Sequence, residues 1–415
     1  MSLRNKFCFT GDLIIPNEER FYKKNDKDKP NHNDKWVGHK VNFGVKADKT
    51  NSHFIELYGG TMEKKPFDIY SFSKGEGNEK GEKIKIPWQD RLKDSTLDMV
   101  ADFKKITIDL TEDEEVRKEL AEIRYKIIGL ERKKDKSGAD EEKLQKYRDE
   151  LRTKGKRKEF VHEYDAVEYL KEELPNITSR IKVIGDIEYN EHKGRFFKNF
   201  TPSIITIADE DDVNGLNATY DVYFTKGCLD EKTGKDNKKI YVDGYVRSYD
   251  SSIKKETFFP QQFVIDCSKV DMQNERHVNR LNFMLKQFDV KKGVYHILWE
   301  CRIYRGAERV EFTEEHLTKE QKEMVELGMA DIEDYRPKDG MLGENVEEIR
   351  LSKPVLKKLN KSNDFSDGAI ETPYKEKELV YETTQEENFE DIKKKNKPKE
   401  EGKNEDLDED LDELF

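Results

Sequence analysis

The sequence is short of apolar residues. Hydrophobic types make up 34% of its 415 residues and charged types 40%. That is lean for a chain that is globular throughout, so part of it is expected to be disordered or solvent-exposed helix. Long apolar runs are missing too. None approaches the ~20 residues of a membrane-spanning helix, and Met1 to Ile15 has no apolar core of a secretory signal. Cysteine is scarce: Cys8, Cys228, Cys267 and Cys301. No two of them form a Cys-x-x-Cys pair, which leaves a zinc or redox motif unsupported. Excess positive charge is also absent. The net charge of -12 argues against a generic cation that binds any duplex by bulk attraction. It leaves room for nucleic acid, because charge can be segregated along a chain. These absences point to a soluble, cytoplasmic protein with no membrane partner. The length predicts two or three domains.

Catalytic motifs are equally sparse. Gly227 to Asp236 resembles a phosphate loop, but its spacing is too long, and Asp236 stands where a magnesium-binding Ser or Thr is needed. A hairpin loop is the expectation there. Asp209 to Asp212 lacks the spacing of a calcium loop and reads as a solvated turn. The eight histidines include no His-x-x-x-His pair; His53 and His296 fall on strand patterns as ordinary strand residues. Neither an enzyme nor a cofactor or metal site is expected.

What the chain does hold is β pattern in blocks. Residues 1–110 read as a first β-rich domain, with strands from Lys6, from Trp36 and through Phe103 to Leu110. At Thr111 the pattern changes. Thr111 and Glu114 suggest a capping box. Val116, Leu120, Ile123, Ile127 and Leu130 then form a heptad seam, matched by Leu144, Tyr147 and Leu151. Residues 111–157 are therefore expected to be an antiparallel helical hairpin, either a solvated spacer or a partner-docking arm. Residues 158–312 read as a second β-rich domain. Its strand from Arg180 repeats a feature of the first, since Gly185-Asp186 matches Gly11-Asp12. Glycine inside a strand suggests the sharp coil by which one strand serves both sides of a small barrel. A helix from Gln273 to Phe288 is followed by a strand from Tyr295, turned at Gly306-Ala307. Residues 313–360 form an extension whose helix is capped by Thr318 and Gln321, with Gly328 at its end. From about Lys361 there is too little to bury, and 361–415 are expected to be disordered.

The stretch Lys239 to Tyr249 organises the second block. Read with period two, Ile240, Val242, Gly244 and Val246 face a core. Tyr241, Asp243, Tyr245, Arg247 and Tyr249 face the other way. Rings with an arginine suit a surface that stacks bases and holds phosphates. The same tyrosines also suit a second core beneath another part of the chain.

The chain ends Glu405-Asp406-Leu407-Asp408-Glu409-Asp410-Leu411-Asp412-Glu413-Leu414-Phe415. A terminal ring among acids is a peptide ligand: the ring enters an apolar pocket and carboxylates meet basic rims. This end resembles that of bacterial and phage single-stranded-DNA-binding proteins, which pair OB-folds with a disordered acidic tail finishing in a hydrophobic tip. It departs from the bacterial form, since Leu414 rather than Pro precedes Phe415. The order of strands with one late helix matches one or two OB-like antiparallel barrels in a mainly β protein with a helical insertion (α+β), although the helical hairpin is not part of the common bacterial architecture. The resemblance implies single-stranded DNA as ligand, in phage-type replication or recombination. Arg195, Lys198, Arg247, Lys254 and Lys255 would then hold phosphates, and Phe197, Tyr223, Tyr241, Tyr245 and Tyr249 would supply ring faces. Trp36, Lys40 and Lys46 form a similar face in the first domain. Asp410, Leu411, Asp412, Glu413, Leu414 and Phe415 would recruit replication or recombination partners. The alternative is an adaptor whose β-domains and tail bind only proteins.

Overall fold

The computed structural model describes residues 5–29, 33–75, 81–133, 135, 137–230, 238–250, 253–310, 312–337, 341–355 and 368–381. The described chain is mainly β, with seven α-helices. It divides into two compact units. Residues 1–47, 53–190 and 198–219 make the first, and 48–52, 191–197 and 220–415 the second.

The first unit opens with β1 (Lys6–Ile14), α1 (Glu18–Phe21), β2 (Tyr22–Lys24), β3 (Lys27–Lys29) and β4 (Asp34–Lys46). β5 (Ser52–Met62), β6 (Ile69–Phe72), β7 (Lys83–Ile86), α2 (Asp94–Met99) and β8 (Ile106–Asp109) follow. Then come α3 (Glu114–Glu131), α4 (Gly138–Thr153), β9 (Arg157–Phe160), α5 (Glu163–Glu173), β10 (Ile181–His192), β11 (Arg195–Ile207) and β12 (Gly215–Phe224).

β1 is used twice. Lys6 to Gly11 pair with β10, and Lys6 to Thr10 pair on their other side with β12. Past Gly11 the strand changes partner, and Asp12 to Ile14 pair with β4. The change needs glycine, because a Cβ at Gly11 would lie 2.1 Å from the Lys46 carbonyl oxygen. Gly185 on β10 is held to the same rule, with the Thr201 carbonyl 2.0 Å from where its Cβ would stand. Phe7, Phe9, Val41, Phe43, Val45 and Ile55 are buried around this junction, each worth roughly 1.5–3 kcal/mol of burial. β10 pairs with β1, and the first unit runs to Thr219.

The helical hairpin has the expected seam: Ile123, Ile127 and Leu144 are buried, with Leu130, Tyr147 and Leu151 packed against them. Its first cap differs from the expectation. Asp113, not Thr111, accepts from the Glu115 and Val116 amides. The Thr111 hydroxyl instead donates to Asp109 at 2.7 Å and accepts from the Lys156 amide.

The second unit takes up β12 from Tyr220 and adds β13 (Leu229–Asp230), β14 (Lys239–Asp250), β15 (Lys255–Asp266) and α6 (Glu275–Lys286). β16 (Tyr295–Val310), α7 (Lys319–Glu326), β17 (Met341–Pro354) and β18 (Ile370–Glu371) complete it. β14 and β15 pair antiparallel along their whole length, from Lys239↔Asp266 to Asp250↔Lys255. β15 meets β17 in parallel at Val264↔Arg350, and β17 runs antiparallel to β16. β12 is hydrogen-bonded to β16 on one side and to β14 on the other. Trp299, Tyr220, Phe224, Phe259 and Phe263 are fully buried here, and Phe288 stacks on Trp299 at 5.4 Å.

Two expectations change in this unit. β16 is one strand to Val310 and does not turn at Gly306; that glycine instead admits the Thr50 carbonyl, 1.6 Å from its would-be Cβ. Residues 368–381, expected to be disordered, carry β18, and Leu379 and Tyr381 are buried. The α7 cap is as expected, Thr318 with Gln321.

Candidate nucleic-acid interface

β14 alternates as its sequence demands. Val242 and Val246 are fully buried on one face, while Tyr241, Tyr245 and Arg247 are half-buried on the other and Tyr249 is exposed. The ladder sets Tyr245 directly opposite Tyr223 of β12. So the structure brings Tyr223, Tyr245 and Arg247 together. It also covers part of them. Tyr223 is only 4% exposed, stacked on His296 at 5.2 Å and edge-on to Phe258 at 5.0 Å. Val294 and Leu379 complete this cluster, and Tyr245 and Tyr374 pack against it.

The charges are engaged as well. Arg247 forms an ion pair with Glu256, and its guanidinium carbon lies 5.5 Å from the Tyr374 ring centroid. Asp221, itself buried, lies 2.7 Å from His296 Nδ1. Burial and the neighbouring Asp221 charge push the Tyr223 phenol far above its ordinary pKa. Burial and Asp243 raise that of Tyr245. Tyr381 donates to Asp250 at the end of β14. The segment that supplies Tyr374, Leu379 and Tyr381 was invisible in the sequence, because three anchors are diluted among Lys and Glu.

The open end of the face is the β14–β15 turn. Lys254 and Lys255 are exposed there, with Lys254 at φ 53°, and Tyr249 is 57% exposed. Arg195 is exposed and Phe197 half-buried at the start of β11, where Phe196 packs on Phe259 and Tyr381. The remaining candidates belong to the first unit. Lys198 stands 5.8 Å over the Phe200 ring. Trp36 donates to the Tyr58 hydroxyl at 2.6 Å and lies flat enough on Gly60 that a Cβ there would meet its ring at 2.5 Å. Lys40 pairs with Glu56 at 2.8 Å, and Lys46 is half-buried. Asp410 to Phe415 lie outside the described residues.

A second titratable cluster had no signal in sequence, since its members are far apart. In the first unit His39 Nδ1 lies 2.5 Å from Glu168, which also accepts from Tyr22 at 2.7 Å, while Tyr164 stacks on the imidazole. Among the described residues no group of three His, Cys, Asp or Glu is placed to hold a metal ion, and no helix is long and apolar enough to cross a membrane. No protein-family model, curated protein or solved structure matches the chain.

Proposed function

We propose that the protein is a non-enzymatic single-stranded-DNA-binding protein and that its second unit is an OB-type barrel. One observation carries this reading: the pairing path β12–β14–β15–β17–β16 returns to β12, and the α-helix between β15 and β16, the third and fourth of these strands in chain order, is α6. A five-stranded Greek-key barrel of this kind binds oligonucleotides on the face of its second and third strands and on the loops after the first and fourth. Here the second and third strands are β14 and β15, which carry Tyr241, Tyr245, Arg247, Tyr249 and Lys255, with Lys254 immediately before β15. Rings would stack bases and cations hold phosphates. The acidic end, by its resemblance, would recruit replication or recombination proteins through Leu414 and Phe415.

The covered state of Tyr223 favours a second reading, an adaptor that binds no nucleic acid and uses these rings as core. Titration of labelled single-stranded and duplex oligonucleotides at two salt concentrations separates the two. Tighter binding to the single strand, weakening as salt rises, is expected. Equal or tighter duplex binding, or none to either, overturns the proposal. Deleting Phe415 should leave DNA binding unchanged and abolish partner capture in a pull-down.

A further inference from the structure

The β6–β7 hairpin of the first unit holds exposed rings. Its ladder sets Tyr70 opposite Lys85 and Phe72 opposite Lys83, with Ser71 opposite Ile84 between them. Alternation sorts these residues onto two faces. Ser71 and Ile86 are buried on one. Tyr70, Phe72, Lys83 and Lys85 share the other, where Tyr70 is 77% exposed. Phe103, 74% exposed, adds a ring 6.3 Å from that of Phe72, and Lys104 Nζ lies 5.7 Å over the Phe72 ring. Backbone bonds fix the arrangement: the Ala101 amide donates to the Phe72 carbonyl and the Lys74 amide to the Met99 carbonyl, both at 2.8 Å.

The charge on this face is positive. Asp68 pairs with Lys85 at 2.7 Å, and Asp102 is taken by Lys105 and Lys74. Among the described residues Lys83 and Lys104 have no carboxylate partner. Interfaces between proteins are depleted of lysine at their centres. Rings interleaved with free ammonium groups instead match a ligand with flat bases on a polyanionic backbone.

We propose that this face is a second contact for single-stranded DNA: Tyr70, Phe72 and Phe103 stack bases, and Lys83 and Lys104 meet phosphates. The inference rests on the reading of the chain as a single-strand binder and places part of the footprint in the first unit.

The test titrates fluorescent oligothymidylate with the full chain at two salt concentrations. A Tyr70→Ala, Phe103→Ala double variant should bind about tenfold weaker or worse with the salt slope unchanged. A Lys83→Ala, Lys104→Ala variant should lower the slope by about two. Tyr125→Ala removes a ring that is 80% exposed on α3 and should bind as wild type. Tyr70→Phe keeps a stacking ring and should also bind as wild type, so a loss confined to the alanine variants reports stacking rather than fold. If the wild-type chain binds no oligonucleotide, the single-strand reading and this contact both fail. If it binds and both double variants bind equally well with the same slope, the β6–β7 contact alone is overturned.

Discussion

Two ring-bearing strand faces of this protein contrast. On β14, Arg247 lies over Tyr374, Tyr245 packs against the same cluster as Tyr374, and their neighbour Tyr223 is 4% exposed. On β6, Tyr70 is 77% exposed, with Phe103 at 74% beside it. Both faces satisfy the same period-two pattern and mix rings with cations. Alternation decides which side of a strand a ring takes. It says nothing about what later part of the chain comes to lie on that side. Rings that the fold has already covered contribute to stability; rings that it leaves bare remain open to a ligand.

Stability measurements offer the widest separation. Tyr223→Ala should cost about 3–5 kcal/mol in denaturant unfolding, as large-to-small changes at buried rings do. Tyr70→Ala should stay within about 0.5 kcal/mol, as exposed substitutions do. Equal costs would erase the contrast. Tyr374→Ala sharpens it from the other side. Losing the ring contacts with Tyr223 and Phe258 should cost about 0.5–1.5 kcal/mol for each pair. Uncovering Arg247 should at the same time tighten oligonucleotide binding. Unchanged binding by a folded Tyr374→Ala protein would show that the β14 face is core alone. The smallest effect is expected on alkaline titration. The Tyr223 and Tyr245 phenols have folded pKa values raised above the ordinary 10. Their contribution is fully present below pH 10 and is lost as pH rises through the folded values, because the unfolded chain releases those protons first. Stability should therefore fall above pH 10 in the wild type, and less steeply in a Tyr245→Phe variant.

Local chemistry was legible in the sequence wherever the signal and its partner lie close together. The seam of α3 and α4, the Thr318 cap of α7 and the inward face of β14 are of this kind. Gly11 was legible as a coil because glycine alone fits a backbone approach of 2.1 Å. Gly306 gave the same local signal and a different outcome, since the Thr50 carbonyl that it admits is remote in sequence. Thr111 looked like a cap because Glu114 stands three residues on, but Asp109 and Lys156 take its hydroxyl, and Asp113 stands one residue before the helix. Pairing is not legible for a similar reason: strand periodicity identifies β10 as a strand and cannot name β1 as its partner. In the candidate interface, Tyr223, Tyr245 and Arg247 were legible, and Tyr374 was not. Its role depends on a contact with strands more than a hundred residues earlier.

The pairing of β1 sets a timetable for synthesis. Lys6 to Gly11 wait for residues 181–186, and Lys6 to Thr10 wait also for 215–219. A ribosome adds about 5–20 residues per second, so roughly 10–40 s pass before both ladders can close. Over that interval Phe7 and Phe9, which end fully buried, sit on a strand with both of those edges unmet. Closing so distant a ladder is slow because the loop entropy is lost before the contacts form. The last strand that the first unit needs is β12, whose residues from Tyr220 onward belong to the second unit.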